Sequence, residues 1–571
     1  MKKRLSSLLD SLEDTKRQYG KGCATRTEKL LQSLRGWRFP DAESLLRFHD
    51  TLLFLRAFPQ GPRVATLADK LLRDIPNQVH RLQSSGANMS LFDDEEFAGV
   101  GGTVLRNAWT YEIVRWLVRR HGKDVGVAGN LEEQSQRMSS ILPGVLPLLE
   151  DDSYVEPDTP YARMMESAAG GRARVLLWLV QALERLTIPP LQKTALYDAL
   201  GIEVTWNPDA SASRTFACDP GVPLFCHESA LIQRKQVSLA DELRSVGLPL
   251  RRLSPRKGAA ALDLVRNAVT IRYRELHGTT RGNSRDVYEA DAGRGVQIFL
   301  WGLSPMWRLP LRAYYAGFTL KNGVPVNYIE AIGLFEWLEI GFNTFYAFRE
   351  GETAWIYAKI LHLLNRISGA TCFSVYPYQL GHENEEAIAS GAFWFYRKLG
   401  FRPGRPDLLK LARKEEATIK KNPKHRTPPR TLRRLAAGHV LYEFGDRPPG
   451  AWDTFSTRNI LLAVQRHMAE NFGGDIGKMR ERASQSLVEL LGINLSRWSA
   501  LEKHALSNFA CVLSLLPDLR SWEDGEKRQL VRIIRAKAAL EEAPYLRLLQ
   551  EHKRLRAALL GLGSRPIEAR P

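Results

Sequence analysis

The apolar positions fall into two textures along the chain. Over residues 1 to about 245 they recur three and four apart, as in Leu45, Phe48, Leu52 and Leu55, the period of an amphipathic helix. Asp41 is placed to cap that helix and Pro59 to end it, so a helix is predicted over 41–58. Similar stripes predict helices over 103–120, 172–186 and 191–200. Each reads as a seam facing a core rather than a cofactor box.

From about 246 to 445 the period shortens. A short strand is predicted at 249–254, a helix at 259–275 and a β-rich run at 295–303. Segments 312–320 and 324–332 flank Lys321-Asn322-Gly323, and an Asn-Gly pair between apolar runs signals a tight hairpin. A further β-rich run, 340–348, leads through a tight loop to a helix at 354–367. A strand at 370–376 and a helix at 385–399, stopped by Gly400, complete the unit. Residues 439–444 offer a closing strand. Helical spacing resumes at 458–470, 476–491, 496–515 and 525–541, with a loose tail expected after Leu562.

This order predicts an α+β chain: a central mixed sheet with helices, flanked by N-terminal and C-terminal all-α regions. The divisions are a helical domain at 1–245, an α+β domain at 246–409, a basic, proline-containing linker with the closing strand at 410–453, and a helical domain at 454–571.

Composition narrows the picture. With 44% hydrophobic and 25% charged residues among 571, a mainly disordered or collagenous chain is disfavoured. No run of about 18 uncharged apolar residues occurs, so no membrane span is expected. Five scattered cysteines do not make a disulfide framework and favour a reducing, cytoplasmic setting. Cys218, Cys226 and His227 lack a second Cys or His pair, so no metal site is expected. The segment 97–103, Phe-Ala-Gly-Val-Gly-Gly-Thr, lacks the lysine of a phosphate-gripping loop and reads as a turn. Lys and Arg outnumber Asp and Glu by 81 to 63, and residues 410–434 carry ten basic side chains against two acidic ones. Anionic partners follow from that balance. The linker itself has no aromatic residue to stack a base.

Two short stretches carry chemistry. Arg349-Glu-Gly-Glu-Thr-Ala354 lies between a predicted strand and a helix, where unpaired N–H groups at the helix start suit a pyrophosphate. Ala392-Phe-Trp-Phe-Tyr396-Arg-Lys-Leu-Gly400-Phe401 follows the next strand and helix. Together they resemble the acyl-CoA-binding half of the GNAT N-acyltransferase superfamily, with its Q/R-x-x-G-x-G/A loop and its A-x-x-x-Y-x-x-x-G-F ending. The match departs from that pattern at Glu352, where the family's loop has a glycine, and a carboxylate facing the loop would repel a phosphate.

The resemblance implies a GNAT-like sheet over roughly 246–445 and transfer of an acyl group from acetyl-CoA or another acyl-CoA to an amine. Arg349, Gly351, Thr353 and Ala354 would hold the cofactor, and Tyr396 would protonate the departing thiolate. Glu339, with Glu336 and Glu330 as rivals, would relay the amine's proton through water. Cys372 and His382 are lesser candidates for nucleophile and base. Two other readings stand beside this one: a catalytically degenerate GNAT-like binding or scaffold protein, and a chain that contacts nucleic acid through its basic linker.

Overall fold

The computed structural model describes residues 2–129, 131, 138, 141–146, 159–209 and 211–564. At its centre is a nine-stranded sheet, built from β1 (Leu250–Arg252), β2 (Gly282–Gly293), β3 (Val296–Leu303), β4 (Ala313–Lys321), β5 (Val324–Leu334), β6 (Trp337–Thr344), β7 (Cys372–Val375), β8 (Arg402–Pro403) and β9 (Val440–Glu443). The spatial order is β8-β9-β7-β6-β5-β4-β3-β2-β1. Only β6 and β7 pair in parallel; every other pair is antiparallel.

Local chemistry explains the connections. Asn322 and Gly323 both have positive φ, 49° and 77°, as a two-residue turn matched to right-handed strand twist requires. The β4–β5 hairpin therefore forms where the Asn-Gly pair predicts it. Parallel strands need a long crossover, and the helix Thr353–Ser368 supplies it between β6 and β7. That helix presents Ile356, Tyr357, Ile360, Leu361 and Leu364 as buried residues, each worth roughly 1.5–3 kcal/mol when fully removed from water.

The molecule is α+β, as the alternation of patterns predicts, but the N-terminal flank is not all-α. Leu105–Asn107, Val125–Val127 and Val204–Trp206 form a three-stranded antiparallel sheet. Three-residue strands are too short to display a two-residue period, so they are invisible to pattern reading. The helix expected over 103–120 accordingly begins only at Tyr111. Segment 97–103 is a close-packed turn leading to a strand: a Cβ on Gly99, whose φ is 78°, would stand 2.6 Å from that of Ile271.

The apolar interior divides into two clusters. One runs from Leu5–Phe92 through the central sheet to the C-terminal helices, and the other occupies the stretch from Ala98 to Ala212 together with Ile271. The first helices thus share a core with the sheet. Residues 410–434, expected as linker, hold the helix Pro406–Lys421 and the helix Pro429–Leu435. The helix expected over 385–399 is broken at Gly391 (φ 67°) into Glu385–Ser390 and Ala392–Arg397. At the C-terminal end, Ala543–Glu551 and Lys553–Ser564 extend the helical region. The tail beyond residue 564 lies outside the described residues.

Candidate functional site

The site is built on β6. Pairing with β7 is confined to Trp337–Cys372, Leu338–Phe373 and Ser374–Glu339. Beyond Glu339, β6 runs on to Thr344 with only β5 alongside, while β7 ends at Val375 and Pro377 turns the chain into a short helix. Two parallel strands therefore part, leaving the β6 edge without ladder partners on that side.

The two faces of β6 differ because side chains alternate. Leu338, Ile340 and Phe342 are buried, and Phe342 meets Tyr357 of the crossover helix at a centroid distance of 4.9 Å. Glu339, Gly341 and Asn343 on the other face are half-buried. Their cross-strand neighbours on β5 are Ile332, Glu330 and Tyr328, which are half-buried too. Two carboxylates, Glu330 and Glu339, thus share one partly open sheet face on diagonal positions. Glu330 accepts a hydrogen bond from the Tyr314 hydroxyl. The Tyr328 hydroxyl accepts from Asn343 Nδ2 at 3.1 Å and from Arg274 at 3.0 Å. Glu339 stands 4.0 Å from Arg312; burial raises its pKa, and the guanidinium opposes that rise.

Glu336 is a different kind of group. It is 3% exposed and accepts hydrogen bonds from Arg556 Nε at 2.9 and 3.0 Å, from Arg447 at 2.8 Å and from the Trp452 indole at 2.9 Å. Burial alone would raise its pKa, yet these donors hold it below the usual range. It fastens the C-terminal helices to the sheet and is no rival for proton transfer.

The loop after β6 is more occupied than its sequence implies. Arg349 pairs with Glu386, on the helix after β7, and stands 3.8 Å from Glu96. It therefore spans the open end between the two strands. A Cβ on Gly351 would lie 2.5 Å from Phe58 Cζ, so an N-terminal helix covers that glycine. The Thr353 hydroxyl donates to the Arg349 carbonyl at 3.4 Å, and Ala354 is 5% exposed. Sequence reasoning places Glu352 against a ligand, and the structure corrects this. Glu352 is fully buried, 2.5 Å from Arg294 and 3.7 Å from Lys321, and it accepts the Ile232 N–H at 3.1 Å. Its charge is neutralised inside the protein, so it does not repel an anion at the loop. His227 joins this cluster through Arg294 at 3.2 Å. Burial and the neighbouring Lys321 and Arg294 lower its pKa to about 3, keeping it neutral.

Tyr396 is 4% exposed in an aromatic cluster with Phe395, Phe401 and Tyr357. It stands with Tyr357 on the helix-covered side of the sheet, away from the Glu339 face, and burial raises its pKa. The Tyr357 hydroxyl is buried without a hydrogen-bond partner. No signal in the sequence separates Tyr357 from other core aromatics of its helix. Cys372 is buried, which raises its pKa, and His382 is exposed in a turn. Among the described residues, no group of three or more His, Cys, Asp or Glu is arranged to hold a metal ion, and no helix is long and apolar enough to cross a membrane.

Beside the loop lies a cleft of about 760 Å³ whose wall mixes four cations, Lys16, Arg17, Arg47 and Arg349, with five carboxylates, Glu13, Asp14, Glu43, Asp50 and Glu350. Its position joins the N-terminal helices to the open end of β6. Compared with family profiles, curated proteins and solved structures, the chain matches none.

Proposed function

We propose that the chain is an acyl-CoA-dependent N-acyltransferase. The observation that carries this reading is the parting of β6 from β7 after three paired positions, beside a strand-to-helix loop. An exposed strand edge offers N–H and C=O groups to an amide-bearing pantetheine arm, as an added strand does. The cleft at Arg349 lies in the size range of ligand sites; Lys16, Arg17 and Arg47 are paired with carboxylates there, so the nucleotide end is held by Arg349 once it exchanges its own carboxylates for phosphate.

The acceptor amine binds on the open face at Glu330 and Glu339. Its nitrogen attacks the thioester carbon, the C–S bond breaks and an amide forms. The ammonium proton passes through water to Glu339, whose raised proton affinity suits a base. A β6 N–H steadies the oxygen as charge develops. Tyr396 returns a proton to the CoA thiolate from the helix-covered side, through the gap where β6 and β7 part, in keeping with the similarity of its segment to the superfamily's ending.

Calorimetry with acetyl-CoA and a longer acyl-CoA, followed by thiol release with a panel of amines, tests this. Binding, amine-dependent thiol release and slower turnover in Tyr396→Phe with affinity retained are expected. Absence of heat with both thioesters overturns the proposal. A second reading rests on Phe58 over Gly351 and on the Arg349–Glu386 bridge: the fold serves as a binding scaffold with a closed loop. Binding of CoA without turnover of any amine favours that reading.

A further inference from the structure

The helices at 406–435 form a surface whose charge is left over after internal pairing. Of the two acidic residues of segment 410–434, Glu416 is paired with Arg397 at 2.7 Å, while Glu415 has only His425 at 3.1 Å, a hydrogen-bond partner that cancels its charge only when protonated. All ten of its cations are exposed. Among the described residues only Arg433 has a carboxylate partner, Glu385 at 2.7 Å. Lys414, Lys420, Lys421, Lys424, Arg426 and Arg430 therefore stand in one segment with no carboxylate of their own, against the single charge of Glu415. Lys398 belongs to the same field: its pKa is lowered first by burial and then by Arg234 and Arg426.

The segment lacks an aromatic residue of its own, but the fold brings one to it. Thr427 accepts a hydrogen bond from the Trp394 indole N–H at 3.1 Å, which fixes a half-buried ring beside the cations. Exposed apolar side chains flank this stretch rather than lie within it: Tyr376, Tyr378 and Leu461 are exposed, and none between 379 and 460 is. The two tyrosines are further rings on which bases can stack. Unpaired cations around a fixed indole are what a single-stranded nucleic acid uses: phosphates on the charges, a base on the ring.

We propose that this surface binds single-stranded nucleic acid. The assignment stands independently of the acyl-transfer reading, although the helix Glu385–Ser390 to which Arg433 is tied also borders the open end of β6 and β7. The helices that carry the surface thus lie beside the strand gap.

Fluorescence anisotropy of a labelled oligouridylate of about 20 nucleotides, against the full chain, tests it. If about six phosphates are neutralised, affinity falls about 300-fold between roughly 50 and 200 mM salt. The variant Lys414→Glu/Lys420→Glu/Lys421→Glu/Lys424→Glu, folded by circular dichroism, loses at least about tenfold in affinity at the lower salt. Trp394→Leu weakens the single strand about fivefold and leaves a duplex of the same length unchanged. No binding at low salt overturns the proposal, as does unchanged affinity in the quadruple variant. So does preferential binding of anionic phosphatidylserine vesicles, or displacement of the oligonucleotide by polyglutamate at equal charge.

Discussion

Replacing Glu352 by glutamine probes the junction of the whole molecule. The carboxylate is fully buried, with Arg294 at 2.5 Å and Lys321 at 3.7 Å, and breaking a buried pair costs about 3–5 kcal/mol. Glutamine retains an oxygen for the Ile232 N–H, so about 3 kcal/mol is expected. The loss also depends on pH. Burial first, then repulsion from Arg294, lowers the Lys321 pKa to about 7, against the pull of Glu352. A lysine with a lower pKa folded than unfolded makes the native protein more stable as pH rises from about 7 towards about 10. Near pH 8.5 Lys321 is largely neutral in the unaltered protein, and the substitution removes mainly the Arg294 pair. Near pH 6 Lys321 is charged, and its attraction to Glu352 is lost as well. The penalty should therefore be about 1.4 kcal/mol larger near pH 6 than near pH 8.5. Hydrogen exchange of amides in the helix Thr353–Ser368 and the segment 225–232 reads these opening energies. A loss below about 1 kcal/mol, or one equal at both pH values, refutes the reasoning. The same geometry predicts that removing this carboxylate does not improve CoA affinity.

Glu336→Gln leaves Arg556 and Arg447 facing a neutral amide. It should cost about 3 kcal/mol and speed limited proteolysis within 454–564, with the sheet protected; unchanged cleavage would show that these helices are held elsewhere. For Glu339, burial raises the pKa, so the acid limb of the pH–rate profile should lie above the ordinary glutamate range, with activity rising as the carboxyl ionises. Glu339→Gln abolishes that limb, and a limb that survives assigns the base to another group.

The legible parts of the fold were those with a local cause. The Asn322-Gly323 turn, the Asp41 cap that accepts from the Ser44 N–H, and the crossover helix all follow from residues within a few positions of one another. β2 was not legible, although it is twelve residues long. Asp286 and Asp291 interrupt its pattern, and the register shifts twice against β3, so no two-residue period survives. Asp286 is buried at 1% exposure, a position no pattern rule assigns to a carboxylate. The site was legible in part for the same reason. The loop and the strands around it are contiguous in sequence, whereas Phe58 and Glu96 reach Gly351 and Arg349 from far along the chain.

Those distant partners decide how the candidate site opens. Phe58 and the ion pairs of Arg349 stand over the loop, and they are not equally hard to move. Phe58 is 1% exposed and stacks on Phe54 at 5.0 Å, so shifting it off Gly351 disturbs the shared core. Arg349 is about one-third exposed and meets Glu386 and Glu96, themselves 51% and 32% exposed. Ion pairs of that kind are worth about 0–1 kcal/mol each, less than the charge-assisted bonds a phosphate offers to the same guanidinium. A phosphate-bearing ligand can therefore displace the two carboxylates without moving the aromatic roof. Access turns on Arg349, and Arg349→Ala should open the cleft while weakening whatever anion enters it.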